Sequence, residues 1–306
     1  MSLSILLATR NNGEYIGELI ASVLSQSCGD FTLYIRDDCS RDNTLEIIAA
    51  LKDDRIKIVP NEKPSGSAQN NFFALFSVCD SDYIMFCDAD DVWLPDKVEK
   101  TLARMKELEQ KHGDSCPILV HTDLIVADRN LNVISPSLFR YEKISPGRKR
   151  LGELVAQNNV TGCTVMVNRA LHELCPSPPK YSVMHDWWLA LIASAFGEIS
   201  ALDEPTMFYR QHGANDVGAY NASDLGAAFR KLSKRQRIKE IYASMYRQAR
   251  CFAATFKDRL SPEQLDMCNA YASMEHKNKL GKLSTIIKYK FYKNTLLRNI
   301  GQFLMV

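Results

Sequence analysis

Asp88, Asp90 and Asp91 fall within four positions, directly after an apolar run from Tyr83 to Phe86. Three carboxylates at the end of a strand are costly to bury without partners, so the cluster asks for a compensating cation. A divalent ion held by oxygen ligands and shared with a diphosphate supplies one. Taken alone, an Asp-x-Asp is more often an acidic turn before a helix, here the one that Pro95 opens. A second pair, Asp37 and Asp38, ends another β-rich run. Two such clusters on one sheet edge repel each other unless a ligand or cation lies between them.

Three further groups are candidates. Asp186 stands in Met184-His185-Asp186-Trp187-Trp188, the polar start of an apolar helix, where the helix dipole favours an ionised carboxylate. It reads either as a general base or as an N-terminal cap. Tyr209-Arg210-Gln211-His212-Gly213, with Asn215 beyond, ends a strand in a loop that can set Arg210 on phosphate and the His212 imidazole on a metal. A lone histidine is usually structural, but an arginine and glycine beside it suit a lid over a diphosphate. The segment from Gly66 to Phe72 opens an amphipathic helix whose N-terminus can face phosphate, with Asn71 as the candidate and a plain loop-to-helix junction as the alternative.

Alternating strand and helix patterns position these residues. Strands are expected at Ser4 to Ala8, Phe31 to Arg36, Ile56 to Val59 and Tyr83 to Phe86. Helices are expected from Glu14 to Ser27, around Asn43 to Leu51, through Phe72, Leu75 and Phe76, and after Pro95 through Val98, Leu102, Met105 and Leu108. The fold class is α/β, with a mostly parallel central sheet flanked by helices; ligands in such sheets gather at the carboxyl ends of the strands, which here carry Thr9, Asp38 and Asp88 to Asp91. From Ile118 the pattern changes to shorter strands, at Ile118 to His121, Thr164 to Val167, Ile199 to Leu202 and Met207 to Tyr209, with a helix from His185 to Phe196. A loop from Gln211 to Tyr220 follows, and helical patterns run from Asn221 to the end. The domains expected are 1–220, divided into a doubly wound half (1–112) and a half of shorter strands (113–220), and a helical C-terminal extension (221–306).

Length and composition suit one large α/β domain with an appendage: 306 residues, 46% hydrophobic and 24% charged. A net charge of +2 argues against a nucleic-acid partner. Nine cysteines, none spaced as a zinc knuckle or redox motif, are expected to be reduced thiols. The start lacks a basic leader, and no stretch approaches the roughly 18 apolar residues of a membrane span. A cytoplasmic protein is expected, free or against the membrane's cytoplasmic face.

Ser4-Ile5-Leu6-Leu7-Ala8-Thr9-Arg10-Asn11-Asn12, then Asp37-Asp38-Cys39-Ser40-Arg41-Asp42-Asn43-Thr44, then Asp88-Ala89-Asp90-Asp91-Val92-Trp93 resemble, in order, spacing and type, the family 2 glycosyltransferases of the GT-A fold. The resemblance covers about the first 110 residues. It implies that Thr9, Arg10 and Asn12 border the nucleoside and that Asp38 accepts the N3 hydrogen of uracil or thymine. An imide N–H has a carboxylate as its natural acceptor, and Asp37 stays open as cap or ligand. It further implies that Asp88 and Asp90 hold the donor sugar, that Asp90 and Asp91 hold Mn²⁺ or Mg²⁺ with His212, that Arg210 meets the diphosphate, and that Asp186 deprotonates the acceptor hydroxyl.

Arg210-Gln211-His212-Gly213, His121-Thr122-Asp123 and Val160-Thr161-Gly162-Cys163 look like the rhamnosyltransferase subgroup of surface-polysaccharide assembly, with Ala89 where relatives commonly carry glutamine. The activity implied is inverting transfer from dTDP-rhamnose or a UDP-hexose to a glycan or lipid-linked glycan of O-antigen or capsule type. A sugar-phosphate nucleotidyltransferase would want a glycine-rich phosphate loop after the first strand, which Ala8 to Gly13 does not provide; an NAD-dependent dehydrogenase would want G-x-G-x-x-G there. An inactive carbohydrate-binding scaffold would not need every acid intact. The basic and aromatic stretch from Lys277 onward is either an interfacial helix near a lipid-linked acceptor or an ordinary helix face or dimer contact.

Overall fold

The computed structural model describes residues 1–213, 218–219 and 235–306. Asn215, part of the 211–220 loop, and the start of the expected C-terminal helical region lie outside the described residues. In chain order the strands are β1 (Leu3–Thr9), β2 (Thr32–Asp37), β3 (Ile56–Ile58), β4 (Tyr83–Asp88), β5 (Val92–Trp93), β6 (Ile118–Asp128), β7 (Val133–Ser135), β8 (Met166–Asn168) and β9 (Glu198–Gln211). The helices are α1 (Ile16–Leu24), α2 (Thr44–Ala50), α3 (Ala68–Val78), α4 (Lys97–His112), α5 (Leu138–Tyr141), α6 (Leu151–Ala156), α7 (Arg169–His172), α8 (His185–Phe196), α9 (Arg235–Thr255), α10 (Pro262–Ser273), α11 (Lys279–Tyr289) and α12 (Leu296–Met305).

The chain divides into two units that interleave along the sequence. The first comprises Met1–Leu138, Val160–Pro178 and Glu198–Ala219, and holds the whole sheet, in the order β3-β2-β1-β4-β8-β6-β9-β5 with β7 beside β6. The block β3-β2-β1-β4 is parallel, as are β6 and β9, while β8 and β5 run antiparallel to their neighbours. Ile5, Leu6 and Leu7 are all buried, since β1 at the centre is covered on both faces. Ile16, Leu19, Ile20 and Val23 of α1 supply part of that cover at helical spacing. Val98, Leu102, Met105 and Leu108 of α4 are likewise buried, and that helix ends at Gly113, whose φ of 87° suits glycine.

Three expectations are revised. The separate strands at Ile199 to Leu202 and Met207 to Tyr209 form one, β9, because β6 runs on to Asp128 and pairs along its length; bulges at Thr122/Asp123 and Asp123/Ile125 absorb the polar turn around Asp203 and Glu204. The strand expected over Thr164 to Val167 is a 3-10 turn, Gly162–Thr164, followed by β8. Strand β5 was not expected; two residues carry no periodicity to read.

The second unit comprises Phe139–Asn159, Pro179–Gly197 and Tyr220–Val306. It is helical among its described residues. Helix α8 is buried at nine positions, His185 and Asp186 at its polar start and the apolar run from Trp187 to Ala193. Trp187 donates its indole N–H to the Leu154 carbonyl of α6 at 2.7 Å, and Trp188 packs edge-on to Phe252 of α9. Ser261 and Gln264 form a capping box at the start of α10, with Pro262 in its first turn.

Candidate active site

Register brings the acidic clusters together. Ala8 pairs with Asp88, and Thr9 pairs with Asp37, so the carboxyl ends of β1, β2 and β4 lie side by side. The loops after β1 and β2 are laced to each other. Asn11 N–H donates to Ser40 Oγ at 2.7 Å and Arg41 N–H to Asn11 Oδ1 at 2.8 Å; Gly13 N–H donates to Asp42 at 3.0 Å. A Cβ on Gly13 would stand 1.9 Å from Asn43 Oδ1, so any other residue here would require the Asn43 side chain to move. Asn11 and Cys39 adopt left-handed φ of 52° and 59°, a local strain of the kind that collects at ligand sites. Asn12 orders its own turn: its Oδ1 accepts from Thr9 Oγ1 and Arg10 N–H. The Arg10 residue is exposed.

Asp37 is a turn residue, taking both the N–H and the hydroxyl of Ser40. Asp38 is buried, and its Oδ1 accepts from Ser65 N–H at 2.5 Å and Asn61 Nδ2 at 3.0 Å. Asn61 in turn accepts from Arg36, and Arg36 donates to Asn71 Oδ1 at 2.5 Å. Asn71 returns a hydrogen bond to the Arg36 carbonyl. Asn71 therefore holds Arg36 from inside the fold, and a relay Asn71–Arg36–Asn61–Asp38 sets the Asp38 carboxylate. Arg36 and Asn61 escaped the sequence reading; an arginine inside a strand that otherwise alternates buried and apolar was the available signal.

Strand β5 turns the acidic segment toward β9, since Val92 pairs with Phe208 and Trp93 with Met207. Asp90 and His212 meet, with Oδ2 and Nε2 2.7 Å apart and both side chains partly exposed. The His212 ring stacks on Tyr15, centroids 4.9 Å apart. Asp91 lies behind this pair, fully buried. Its Oδ1 accepts Arg210 N–H at 3.1 Å, while Oδ2 has no hydrogen-bond partner among the described residues. Burial, then the charges of Asp90 and Asp88, push the Asp91 carboxyl well above the usual carboxylate range.

The guanidinium of Arg210, expected on phosphate, is instead committed to the protein. Only 3% exposed, it donates to the Asp90 carbonyl at 2.8 Å, the Arg129 carbonyl at 2.5 Å and Glu18 at 2.6 Å, and lies over the Tyr15 ring. All its donor nitrogens are in use, so it buttresses the acidic turn. Lys97, the first residue of α4, is fully buried beneath the same turn, with Nζ 3.2 Å from Thr206 Oγ1 and 4.8 Å from the Trp93 ring centre. Burial lowers its pKa from 10.5 to about 8, against the opposing pull of Cys163, Cys87 and Asp91.

Two donor sets are chemically able to hold a cation. Asp90 with His212 is partly exposed, its side chains 15% and 10% accessible. Asp88, Asp91 and Cys163 lie within 4.8 Å of one another, but Asp91 and Cys163 are enclosed. Burial raises the Cys163 thiol well above its ordinary value, which keeps it protonated and a poor ligand. The open Asp90–His212 pair fits an oxygen-seeking divalent ion shared with a diphosphate better.

Asp186 belongs to the second unit. It sits in the first turn of α8, 7% exposed, with Oδ2 accepting from Asn158 at 3.2 Å and Oδ1 from Trp187 N–H at 2.7 Å. The neighbouring His185 is kept neutral by burial, its pKa lowered to about 3.

A family model described as Glycosyl transferase family 2 matches residues 4–174, more than half of the chain. The chain belongs to glycosyl transferase family 2. Among its relatives, the dTDP-rhamnosyl transferase RfbG of Shigella flexneri is 29% identical over 70% of this chain and 74% of its own length. The UDP-Glc:alpha-D-GlcNAc-diphosphoundecaprenol beta-1,3-glucosyltransferase WfgD of Escherichia coli is 26% identical over 66% of this chain and 73% of its own. S. aureus TarS 1–349, solved in complex with UDP-GlcNAc, superposes with a TM-score of 0.59 at 15% identity, covering 99% of this chain and 92% of that one. The mixed sheet with flanking helices is thus a GT-A-type fold, and the resemblance of the first 110 residues is to the family the whole match identifies. No described helix of this family 2 glycosyltransferase is long and apolar enough to cross a membrane.

Proposed function

We propose that this glycosyltransferase moves a hexosyl or deoxyhexosyl unit, rhamnose among the candidates, from a uridine or thymidine diphosphate sugar to a lipid-linked glycan, with inversion, during surface-polysaccharide assembly. One observation carries the reading: Asp38, Asp88 and the Asp90–His212 pair gather at the carboxyl edge of one strand block, where a nucleotide end and a diphosphate end can both be met. Asp38, aimed by Asn61 and Ser65, accepts the imide N–H of the base. Thr9, Arg10 and Asn12 flank the nucleoside, and Asp88 takes a sugar or ribose hydroxyl. Asp90 and His212 hold Mn²⁺ or Mg²⁺, with Asp91 as support behind them; the bound ion would neutralise charge on the departing diphosphate. Asp186 takes the acceptor proton as the acceptor oxygen bonds the anomeric carbon and the bond to the phosphate oxygen breaks. One displacement inverts the centre once. The names of RfbG and WfgD support a dTDP- or UDP-linked donor and, through WfgD, a diphosphoundecaprenol-linked acceptor.

The test is a nucleotide-sugar screen with Mn²⁺, following slow donor hydrolysis, alongside titration calorimetry. UDP or dTDP should bind only with the metal, Asp90→Asn should lose that binding, and Asp186→Asn should keep binding while transfer falls about 10³-fold. Well-folded protein that takes up neither nucleotide with Mn²⁺ would overturn the proposal.

A further inference from the structure

Helix α12 is inside out. Its polar side chains face the protein: Arg298 donates to the Glu142 carbonyl at 2.6 Å, Asn299 accepts from Lys293 N–H at 2.6 Å, and Gln302 donates to the Phe291 carbonyl at 3.1 Å. Its large apolar side chains face water. Leu296 is 77% exposed, Leu297 47%, Ile300 46% and Leu304 55%. At 100° per residue these four fall within one arc of about 100°, a single stripe. Water-facing leucines scattered singly mean nothing, but a stripe on the outer face of a helix anchored by its polar face needs a cover. Helix α11 adds Leu280 and Ile287, 76% and 59% exposed, and Lys279 at its start reaches the Leu304 carbonyl at 3.3 Å, so the two helices meet at the stripe's end.

Two covers are available to such a stripe, a second copy of this chain or a lipid surface, and charge decides between them. From Lys277 to Val306 there are six lysines and one arginine, and no aspartate or glutamate. A twofold contact through these helices would bring together two copies of an acid-free stretch whose Lys279, Lys288 and Lys290 are exposed. An anionic bilayer presents the opposite charge, and a ten-residue helix is suited to lying in its interface rather than crossing it. We infer that α12, with the outer edge of α11, docks this protein on an anionic membrane surface, its apolar stripe at the acyl boundary and its lysines among the headgroups. The inference stands apart from the donor chemistry: the stripe holds none of the residues assigned to transfer.

The test uses the full chain and vesicles of phosphatidylcholine with or without phosphatidylglycerol. Wild type should sediment with the anionic vesicles, release as salt is raised several-fold, and bind neutral vesicles weakly. The variant Leu296→Gln/Leu297→Gln/Ile300→Gln/Leu304→Gln should retain its circular dichroism and its hydrolysis of a soluble donor, while vesicle partition falls about 100-fold or more. Failure of wild type to bind anionic vesicles, or equal binding by the variant, overturns the inference. So does a wild-type dimer in solution that the variant converts to a monomer, which would give the stripe to a second copy. Loss of vesicle binding with intact donor hydrolysis separates this inference from the proposed activity.

Discussion

Replacing Arg210 distinguishes a phosphate ligand from a buttress. A phosphate ligand can be removed with little cost to folding, and nucleotide affinity falls. A buttress takes the fold down with it. The two carbonyl contacts, to Asp90 and Arg129, are enclosed hydrogen bonds from a charged donor, worth about 1.5–2 kcal/mol each. The Glu18 pair adds little, about 0.5 kcal/mol, because Glu18 is 53% exposed and solvent screens it. Arg210→Met should therefore cost about 4 kcal/mol of unfolding free energy, and Arg210→Lys, which keeps one charged donor, roughly half. For a domain of this size that is a fall in Tm of about 10 °C for the methionine variant. Urea unfolding by fluorescence measures the first quantity, and Mn²⁺-dependent UDP binding, taken at a temperature where both variants are folded, the second. If Arg210→Met unfolds within 1 kcal/mol of wild type while nucleotide affinity collapses, the buttress is wrong and the side chain must swing to the diphosphate.

The buried ammonium of Lys97 gives a pH signature. Its folded pKa, about 8, lies below the ordinary 10.5. Below pH 8 both folded and unfolded chains carry the proton and the burial cost is felt in full; between 8 and 10.5 the unfolded chain binds more protons, so stability from this group rises with pH, by about 3 kcal/mol across the window. The difference between wild type and Lys97→Met in urea midpoints at pH 7.5 and 10 isolates this from other titrations, and parallel profiles would refute it. Asn61→Ala should remove one hydrogen bond from each of Asp38 and Arg36, which keep Ser65 and Asn71, raising KM for the nucleotide sugar roughly tenfold with kcat within about twofold. A fall in kcat at constant KM would show that the relay acts on chemistry and not on base binding.

The acidic clusters were legible because charge at the end of an apolar run is informative whatever surrounds it, and helix α8 was read to its end residues because its apolar run is long. What failed to show was long-range. Strand β5 has two residues and exists only because β9 passes beside it. Arg210 and His212 lie two apart, and nothing in sequence tells that one turns inward to the Asp90 carbonyl while the other meets the Asp90 carboxylate. Asn71 carried a helix-start signal, yet its side chain is spent on Arg36, 35 positions earlier. Lys97 sits where a first-turn residue is normally solvated, and long-range packing against Trp93, Thr206 and Met207 encloses it.

These long-range features share a physical reason. The Asp88–Asp91 segment concentrates charge where burial penalises it, and Asp91 is driven toward its neutral form by burial and by its two neighbours. A turn of that kind relaxes toward solvent unless its backbone is held. Three ties hold it: the Arg210 amide on Asp91, the Arg210 guanidinium on the Asp90 carbonyl, and the antiparallel pairing of β5 with β9. None of them uses the Asp90 carboxylate, whose Oδ2 lies 2.7 Å from His212 Nε2. The fold thus fixes the main chain of the acidic turn through backbone and guanidinium contacts and leaves the Asp90 carboxylate and the His212 imidazole partly exposed, where, on the proposed reading, a cation would offset the negative charge that burial penalises.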